Sequence, residues 1–408
     1  MNSERISNWT AYHIEPLQPL VFRSGRPFGS SAQSDGANFP LPSSAAGLLR
    51  TLHAQAHNGG LHHYDSAVLR RLGCKGPVVL RAAAREAEQG RWSVCVPQPA
   101  DAVYVADTTR DGSDGSSAVR AVRLAPMPLP AGVACDLPDG LIPVQWQDNV
   151  RAKPRPGPRW WTLSQWEQWQ CGQPVRFTDD AQEEEPLVSP QVHVALDDYT
   201  RAARDGQLYR VDALDFGASL GQAGRHHPTW SFGVFSEAQV PAQVAVFGGE
   251  GRLSAVRPHD GWAEPLQRVP SSLSQRAATA DRDGTARGVV LTLLTPAIFA
   301  GGWRPGWLSA DGIGSPPGCP DVRLVLRAAA VERWVPVSGW DLATERPKAM
   351  RKAVAAGAVY WFEIAQGTCA QALQALWLQP LSDDEDDRHA GFGLVLAAPW
   401  VATAVSSP

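Results

Sequence analysis

PLVFRSGRPFGSSAQSDGANFPLPSSAAGLLRT, residues Pro19 to Thr51, is the stretch from which the rest of the chain is read. An apolar segment, PLVF, delivers Arg23 and Arg26 into a Gly/Ser-rich loop, and a Pro-punctuated turn then starts a helix that carries Arg50. Ser43 is a candidate N-cap, Leu48, Leu49 and Leu52 fall on one side of the helix, and Gly59 and Gly60 end it. Three arginines far apart in sequence can therefore converge, an arrangement suited to a polyanion.

Upstream, Ala11 to Phe22 alternates as a strand, with Pro16 and Pro19 marking a bend or an edge. Downstream come a short helix from Ser66 to Leu72 and two strand-like runs, Pro77 to Ala84 and Trp92 to Val96. Strand, helix and paired strands in that order point to an α+β sandwich. Further on, Asp107 to Ser117 is turn-rich, and RAKPRPGPR (Arg151 to Arg159) is a Pro-stiffened basic segment. Thr162 and Gln165 then form a capping box, and Thr368 is an N-cap for a helix from Cys369 to Leu378. The acidic runs Glu183 to Glu185 and Asp383 to Asp387 read as solvated loops.

The chain has 408 residues, 44% hydrophobic and 19% charged, enough for two globular domains. A formal net charge of −4 offers no bulk attraction to nucleic acid, so any such site must be a local patch. Only four of the 37 basic residues are lysines, a bias compatible with phosphate and base recognition and equally with a GC-rich genome. The six cysteines contain no C-x-x-C pair, which argues against a zinc ribbon or a disulfide scaffold. Neither a signal-like amino terminus nor a run of about 18 apolar residues is present. The expectation is a reduced, cytoplasmic protein without a membrane span.

Several blocks, in this order, resemble one family. They are the opening segment, VHVALDDYTRAARDGQLYRVDALDF (Val192 to Phe216), FGGEGR (Phe247 to Arg252) and LTLLTPAIFAGGW (Leu291 to Trp303). VSGWDL (Val337 to Leu342), RPKAMRKAVAAGAVYWFE (Arg346 to Glu363) and GFGLVLAAPW (Gly391 to Trp400) complete the set. The chain is thereby similar to the third-subunit family of type III-B CRISPR Cmr complexes, part of the RAMP superfamily.

This resemblance implies two ferredoxin-like (RRM-related) RAMP domains, residues 1–217 and 218–408, with long loop and hairpin insertions. It implies a noncatalytic subunit of a hetero-oligomeric complex, with no cofactor, metal or membrane partner. The expected partners are the 5′ handle of a guide RNA, the large polymerase-like subunit and the backbone subunit. Within that picture Arg23, Arg26 and Arg50 become candidate phosphate contacts. A thumb-like hairpin near 192–216 would turn at RAARDG and use Arg201, Arg204 and Tyr209. Arg252 is presented by a Gly/Glu turn, and Lys348, Arg351 and Lys352 form the densest basic cluster. Gly391, Phe392 and Gly393 resemble the superfamily's glycine-rich loop, whose backbone N–H groups approach RNA.

Two alternatives stand beside this reading. Related RAMP proteins include metal-independent ribonucleases, for which His13, His53, His57, His226 and His227 are the available proton carriers. His53 and His57 share a helix face, yet no H-E-x-x-H motif completes a metal site. A Trp-rich binding module, presenting Trp160, Trp161, Trp166 and Trp169, is the other.

Overall fold

The computed structural model describes residues 9–23, 38–58, 65–107, 118–147, 150–177, 185–217, 228–341 and 345–402. The chain opens with strand β1 (Thr10–Pro16), helices α1 (Pro42–Asn58) and α2 (Ser66–Arg71), strand β2 (Cys74–Ala82), helix α3 (Ala84–Glu88) and strand β3 (Ser93–Pro97). Helix α1 begins at Pro42 rather than after a Ser43 cap, and Ser44 N–H closes the first turn onto the Leu41 carbonyl at 2.9 Å. Proline suits that place because its missing N–H would have no intrahelical partner.

A small excursion follows: β4 (Ala102–Ala106), β5 (Val119–Pro126), β6 (Val144–Trp146), β7 (Trp160–Thr162), helix α4 (Leu163–Gln170) and β8 (Arg176–Phe177). The Thr162–Gln165 capping box of α4 forms as its sequence predicts. Next come the long hairpin strands β9 (Leu187–Leu196) and β10 (Ala203–Asp215). The chain then returns to its first sheet through β11 (Thr229–Ser236), β12 (Gln243–Val246) and β13 (Leu253–Pro258).

That sheet has seven antiparallel strands in the order β12-β13-β1-β11-β2-β3-β7. The expected domain limit at 217 is therefore corrected. Strands β11 to β13 complete the amino-terminal sheet, so the division lies beyond Pro258.

After helices α5 (Glu264–Gln267) and α6 (Ser271–Arg282) the second sheet is built from β14 (Ala286–Leu293), β15 (Ile313–Gly314) and β16 (Arg323–Ala330). Four short strands form an arm: β17 (Val335–Val337), β18 (Trp340–Asp341), β19 (Arg346–Pro347) and β20 (Arg351–Ala353). Strand β21 (Val359–Gln366), helices α7 (Cys369–Leu376) and α8 (Glu385–His389) and strand β22 (Val395–Val401) complete the chain. The second sheet runs β15-β16-β21-β14-β22, again antiparallel.

Burial explains the pairing of the halves. Tyr12, Ile14, Phe232 and Val234 on one face of the first sheet pack under Leu49 and Leu52 of α1. Val78, Leu80, Val94 and Val96 on its other face share a single core with Leu291, Leu324 and Phe362 of the second sheet and Leu373 of α7. Strands β11, β14 and β22 are buried along most of their length because each is covered on both sides. Trp166 fixes this contact through an indole N–H bond to Thr292 Oγ1 at 3.1 Å. Trp161, Trp166 and Trp169 are core residues and Trp160 is partly buried, so these four do not form an exposed tryptophan surface. Among the described residues no helix is long and apolar enough to cross a membrane.

Candidate nucleic-acid interface

Two β arms leave this body, and each carries part of the basic inventory. The first is the β9–β10 hairpin, whose faces differ. Val211 and Ala213 dock it against Val21, and reciprocal backbone bonds of 2.8 and 2.9 Å join Leu20 to Leu214. His193 stacks on Tyr209 with ring centres 5.4 Å apart, so Tyr209 is braced by its own hairpin. On the opposite face Val188, Val192, Val194 and Leu196, with Leu208 across the ladder, are exposed.

The turn falls at Asp197–Ala202 rather than at RAARDG. Asp197 decides it, because its carboxylate accepts the N–H groups of Tyr199 and Thr200 at 3.0 and 2.9 Å. Those bonds hold its pKa below the usual carboxylate range. Tyr199 is 96% exposed at the tip, Arg201 sits there in a left-handed conformation, and Arg204 lies 3.8 Å from Asp197. An exposed pair at that distance holds a guanidinium weakly, leaving Arg204 available to a ligand.

Arg252 has a different task. Its Nη2 donates to Gln191 Oε1 at 2.6 Å and lies 3.3 Å from Glu250, which fastens the FGGEGR turn to the root of the hairpin. Arg252 thus positions the hairpin.

The opening segment is only partly described. Arg23 is exposed just past the buried Phe22; Arg26 lies outside the described residues. Arg50 does not join a groove. Its Nε donates to Leu72 O at 3.1 Å, and its Nη2 to Arg70 O at 2.7 Å, Leu72 O at 2.9 Å and His389 O at 3.0 Å. Burial, chiefly, lowers its pKa. The expected phosphate contact is thus corrected to a staple for the carbonyl ends of α2 and α8, groups that helix geometry leaves without partners.

One residue given no role from sequence lies beside this segment. Arg159, at the end of RAKPRPGPR, sits over the Phe39 and Trp160 rings at 5.2 and 5.8 Å.

The carboxyl-terminal cluster divides in the same way. Arg351 makes two parallel bonds of 2.7 Å to the buried Asp387, so it is a structural clasp rather than a free phosphate ligand. Lys352 Nζ lies 5.2 Å from the Trp334 ring, and Lys348 is exposed. The acidic run is no solvated loop. Asp383 accepts the N–H groups of Ala300 and Gly306 at 2.7 and 2.8 Å, and Asp384 caps α8 through Asp386 N–H at 2.8 Å.

The glycine loop is also corrected. Gly391 N–H donates to Arg388 O, Phe392 N–H to Asp387 O and Gly393 N–H to Pro296 O, at 3.0, 3.0 and 2.7 Å. With its amides used internally and Phe392 in the core, the loop offers no donors to a ligand; it joins the two sheets.

Among the histidines, His226 and His227 lie outside the described residues. Gln239 N–H donates to His53 Nδ1 at 3.0 Å, and His57 contacts His53 O at 2.9 Å. No group of three or more potential metal ligands occurs among the described residues.

His13 is fully buried on β1, so it cannot reach a substrate. Arg257 donates to its Nδ1 at 3.3 Å, which leaves the proton on Nε2 facing Ser231 Oγ at 2.7 Å. Burial, and then Arg257 and His259, push its pKa down to about 3. Arg257 in turn pairs with Glu15 at 2.9 Å. Below pH 6.5 the unfolded chain takes up a proton that the folded chain refuses, so stability falls as pH drops toward 3. At pH 5 the loss attributable to His13 is about 2 kcal/mol relative to pH 7.5. Urea titrations at both values should show that loss in the wild type and not in His13→Gln; equal losses would remove His13 as its source.

The family described as CRISPR-associated protein (Cas_Cmr3) matches residues 12–400 of this chain. Among solved structures, the chain is similar to one in the cryo-EM structure of the Type III-B Cmr-beta bound to cognate target RNA and AMPPnP. That likeness has 12% identity and a TM-score of 0.42, covering 86% of this chain and 85% of the other. A chain of the Csm3-Csm4 subcomplex in the type III-A CRISPR-Cas interference complex is similar at 8% identity and a TM-score of 0.33, covering 88% and 94%. No curated protein sequence matches.

Proposed function

The chain belongs to the CRISPR-associated Cas_Cmr3 family, and from that premise we propose that it is a noncatalytic RNA-binding subunit of a type III-B effector complex. It holds the 5′ handle of the guide RNA and bridges the large polymerase-like subunit to the backbone subunits. The observation that carries this reading is the pair of arms: exposed cations on β structure that projects from the body, while Arg50, Arg252 and Arg351 are bound to internal partners. Arg23 and Arg26, Arg201 and Arg204 at the hairpin tip, and Lys348 and Lys352 are the proposed RNA contacts. Arg50, Arg252, Arg351 and residues 391–393 hold the frame. The aliphatic row of the β9–β10 hairpin suits a neighbouring protein subunit, since it is apolar and lacks cations at Val188, Val192, Val194 and Leu196.

The strand orders support two ferredoxin-like halves. Taken in chain order within each half, β13-β1-β11-β2 and β22-β14-β21-β16 both run 4-1-3-2, with α1 and α7 as the crossover helices. A ribonuclease reading would need a proton carrier other than His13. Incubating the chain with precursor RNA in EDTA examines it directly: specific cleavage by the purified chain would overturn the noncatalytic role. The main reading is tested by sequencing the RNA that copurifies with the assembled complex. A shared 5′ segment is expected, and random 5′ ends would contradict handle capture.

A further inference from the structure

Trp334 and Trp340 are the two most exposed of the sixteen tryptophans, at 50% and 57%. Both stand on the β17–β20 arm, and the strand register gives each its own cations. Trp340 pairs with Pro347, which lies between Arg346 and Lys348, and Lys352 reaches over the Trp334 ring from the facing strand. Arg333 precedes Trp334 directly. Among the described residues none of Arg333, Arg346, Lys348 and Lys352 has a carboxylate partner. Asp341 faces Arg70 at 3.7 Å, so Glu332 and Glu345 are the arm's remaining exposed carboxylates and its surface stays positive.

The arm is held firmly in place. Val337 and Ala353 are buried at its root beside the Arg351–Asp387 clasp. Lys348 N–H donates to Gly339 O, and Ser338 Oγ–H donates to Lys348 O, each at 2.8 Å. Rings paired with unneutralised cations match a strand of unstacked bases and phosphates, whereas a protein partner is better met by the aliphatic face of the β9–β10 hairpin.

We propose that Trp334 and Trp340 are stacking platforms for two unpaired bases of a single-stranded RNA, with Arg333, Arg346, Lys348 and Lys352 holding its phosphates. Five residues lie between the two tryptophans, so extended chain places them at most about 20 Å apart. This assignment rests on the RNA-binding reading and deepens it by naming where bases, rather than phosphates, are recognised.

The test uses the full chain with a single-stranded RNA carrying 5-iodouridine. Photo-crosslinks should map to Trp334 and Trp340, and alanine at either should weaken binding by about 5- to 100-fold with the salt dependence unchanged. Phenylalanine at the same positions should restore most of the affinity. Lys348→Ala with Lys352→Ala should instead lower the slope of log affinity against log salt by about 1.4. If the tryptophan variants bind RNA as the wild type does, the stacking assignment falls while the RNA reading stands. If the wild type binds no RNA, both fall. Tryptophan variants that keep RNA affinity but fail to assemble with a protein partner would make the arm a protein interface, overturning the proposal.

Discussion

Replacing Gly391 by alanine is expected to destabilise the protein by about 2 to 5 kcal/mol, far more than an alanine at a glycine in a free turn. Gly391 has φ +93°, and a Cβ there would meet the backbone carbonyl oxygens of Gly76 and Cys74 at 2.7 and 3.0 Å. Those atoms belong to β2 and cannot rotate away as a side chain would, so the substitution pushes the two sheets apart. The damage spreads because the Gly391 carbonyl accepts Thr295 Oγ1–H at 2.7 Å and Thr295 Oγ1 accepts Leu394 N–H at 2.9 Å. Gly251 is the control, since its φ of +67° is equally left-handed but nothing lies within 4 Å of its Cβ position. Urea unfolding should place Gly391→Ala at least about 2 kcal/mol below Gly251→Ala. Equal losses would mean that the close approach to β2 contributes nothing.

Asp101→Ala should cost about 3 to 5 kcal/mol, because it removes the carboxylate from a buried charge pair while leaving the other charge in place. Asp101 is wholly buried at the head of the excursion; Arg123 Nη1 lies 3.2 Å from its Oδ2, and Trp169 Nε1–H points at both oxygens from 3.1 Å. Arg123 also covers the Trp169 ring at 3.8 Å. Removing the carboxylate takes the counterion from a guanidinium that keeps only the Trp169 carbonyl, and leaves an indole N–H without its acceptor in the cluster that Trp161, Trp169 and Phe177 share. Changing Asp101 to Leu and Arg123 to Met together should recover much of the loss, since no charge is then left unpaired. A loss under about 1 kcal/mol for Asp101→Ala would contradict the pinning role.

Local signals in the sequence were good guides where the partner was also local. The capping box at Thr162–Gln165 and the N-cap at Thr368 both form, because their bonds span three residues; at Thr368 the structure adds the reciprocal Gln371 bond. The amphipathic face of α1 and the strand runs near β2 and β3 were legible for the same reason. What failed was charge whose partner lies far along the chain. Arg50 looks free until α8 brings the His389 carbonyl to it, and Asp387 looks solvated until Arg351 arrives from the arm. The domain limit failed similarly: the excursion and the hairpin interrupt the first sheet, and only pairing over long separations returns β11 to β2. The glycines of residues 391–393 marked a close approach correctly, but the approaching backbone is β2 rather than a ligand. VSGWDL carried Trp340 in plain view; its exposure depends on the β18–β19 pairing, which periodicity over two residues cannot reveal.

The central claim is that this chain holds the 5′ handle of a guide RNA within its complex. The most direct measurement assembles the complex with and without the chain, then sequences the 5′ ends of the bound RNA after brief nuclease treatment. With the chain present, a common 5′ segment should be protected, and without it that segment alone should be lost while the remainder of the guide stays covered. Identical 5′ protection in both preparations would contradict the account.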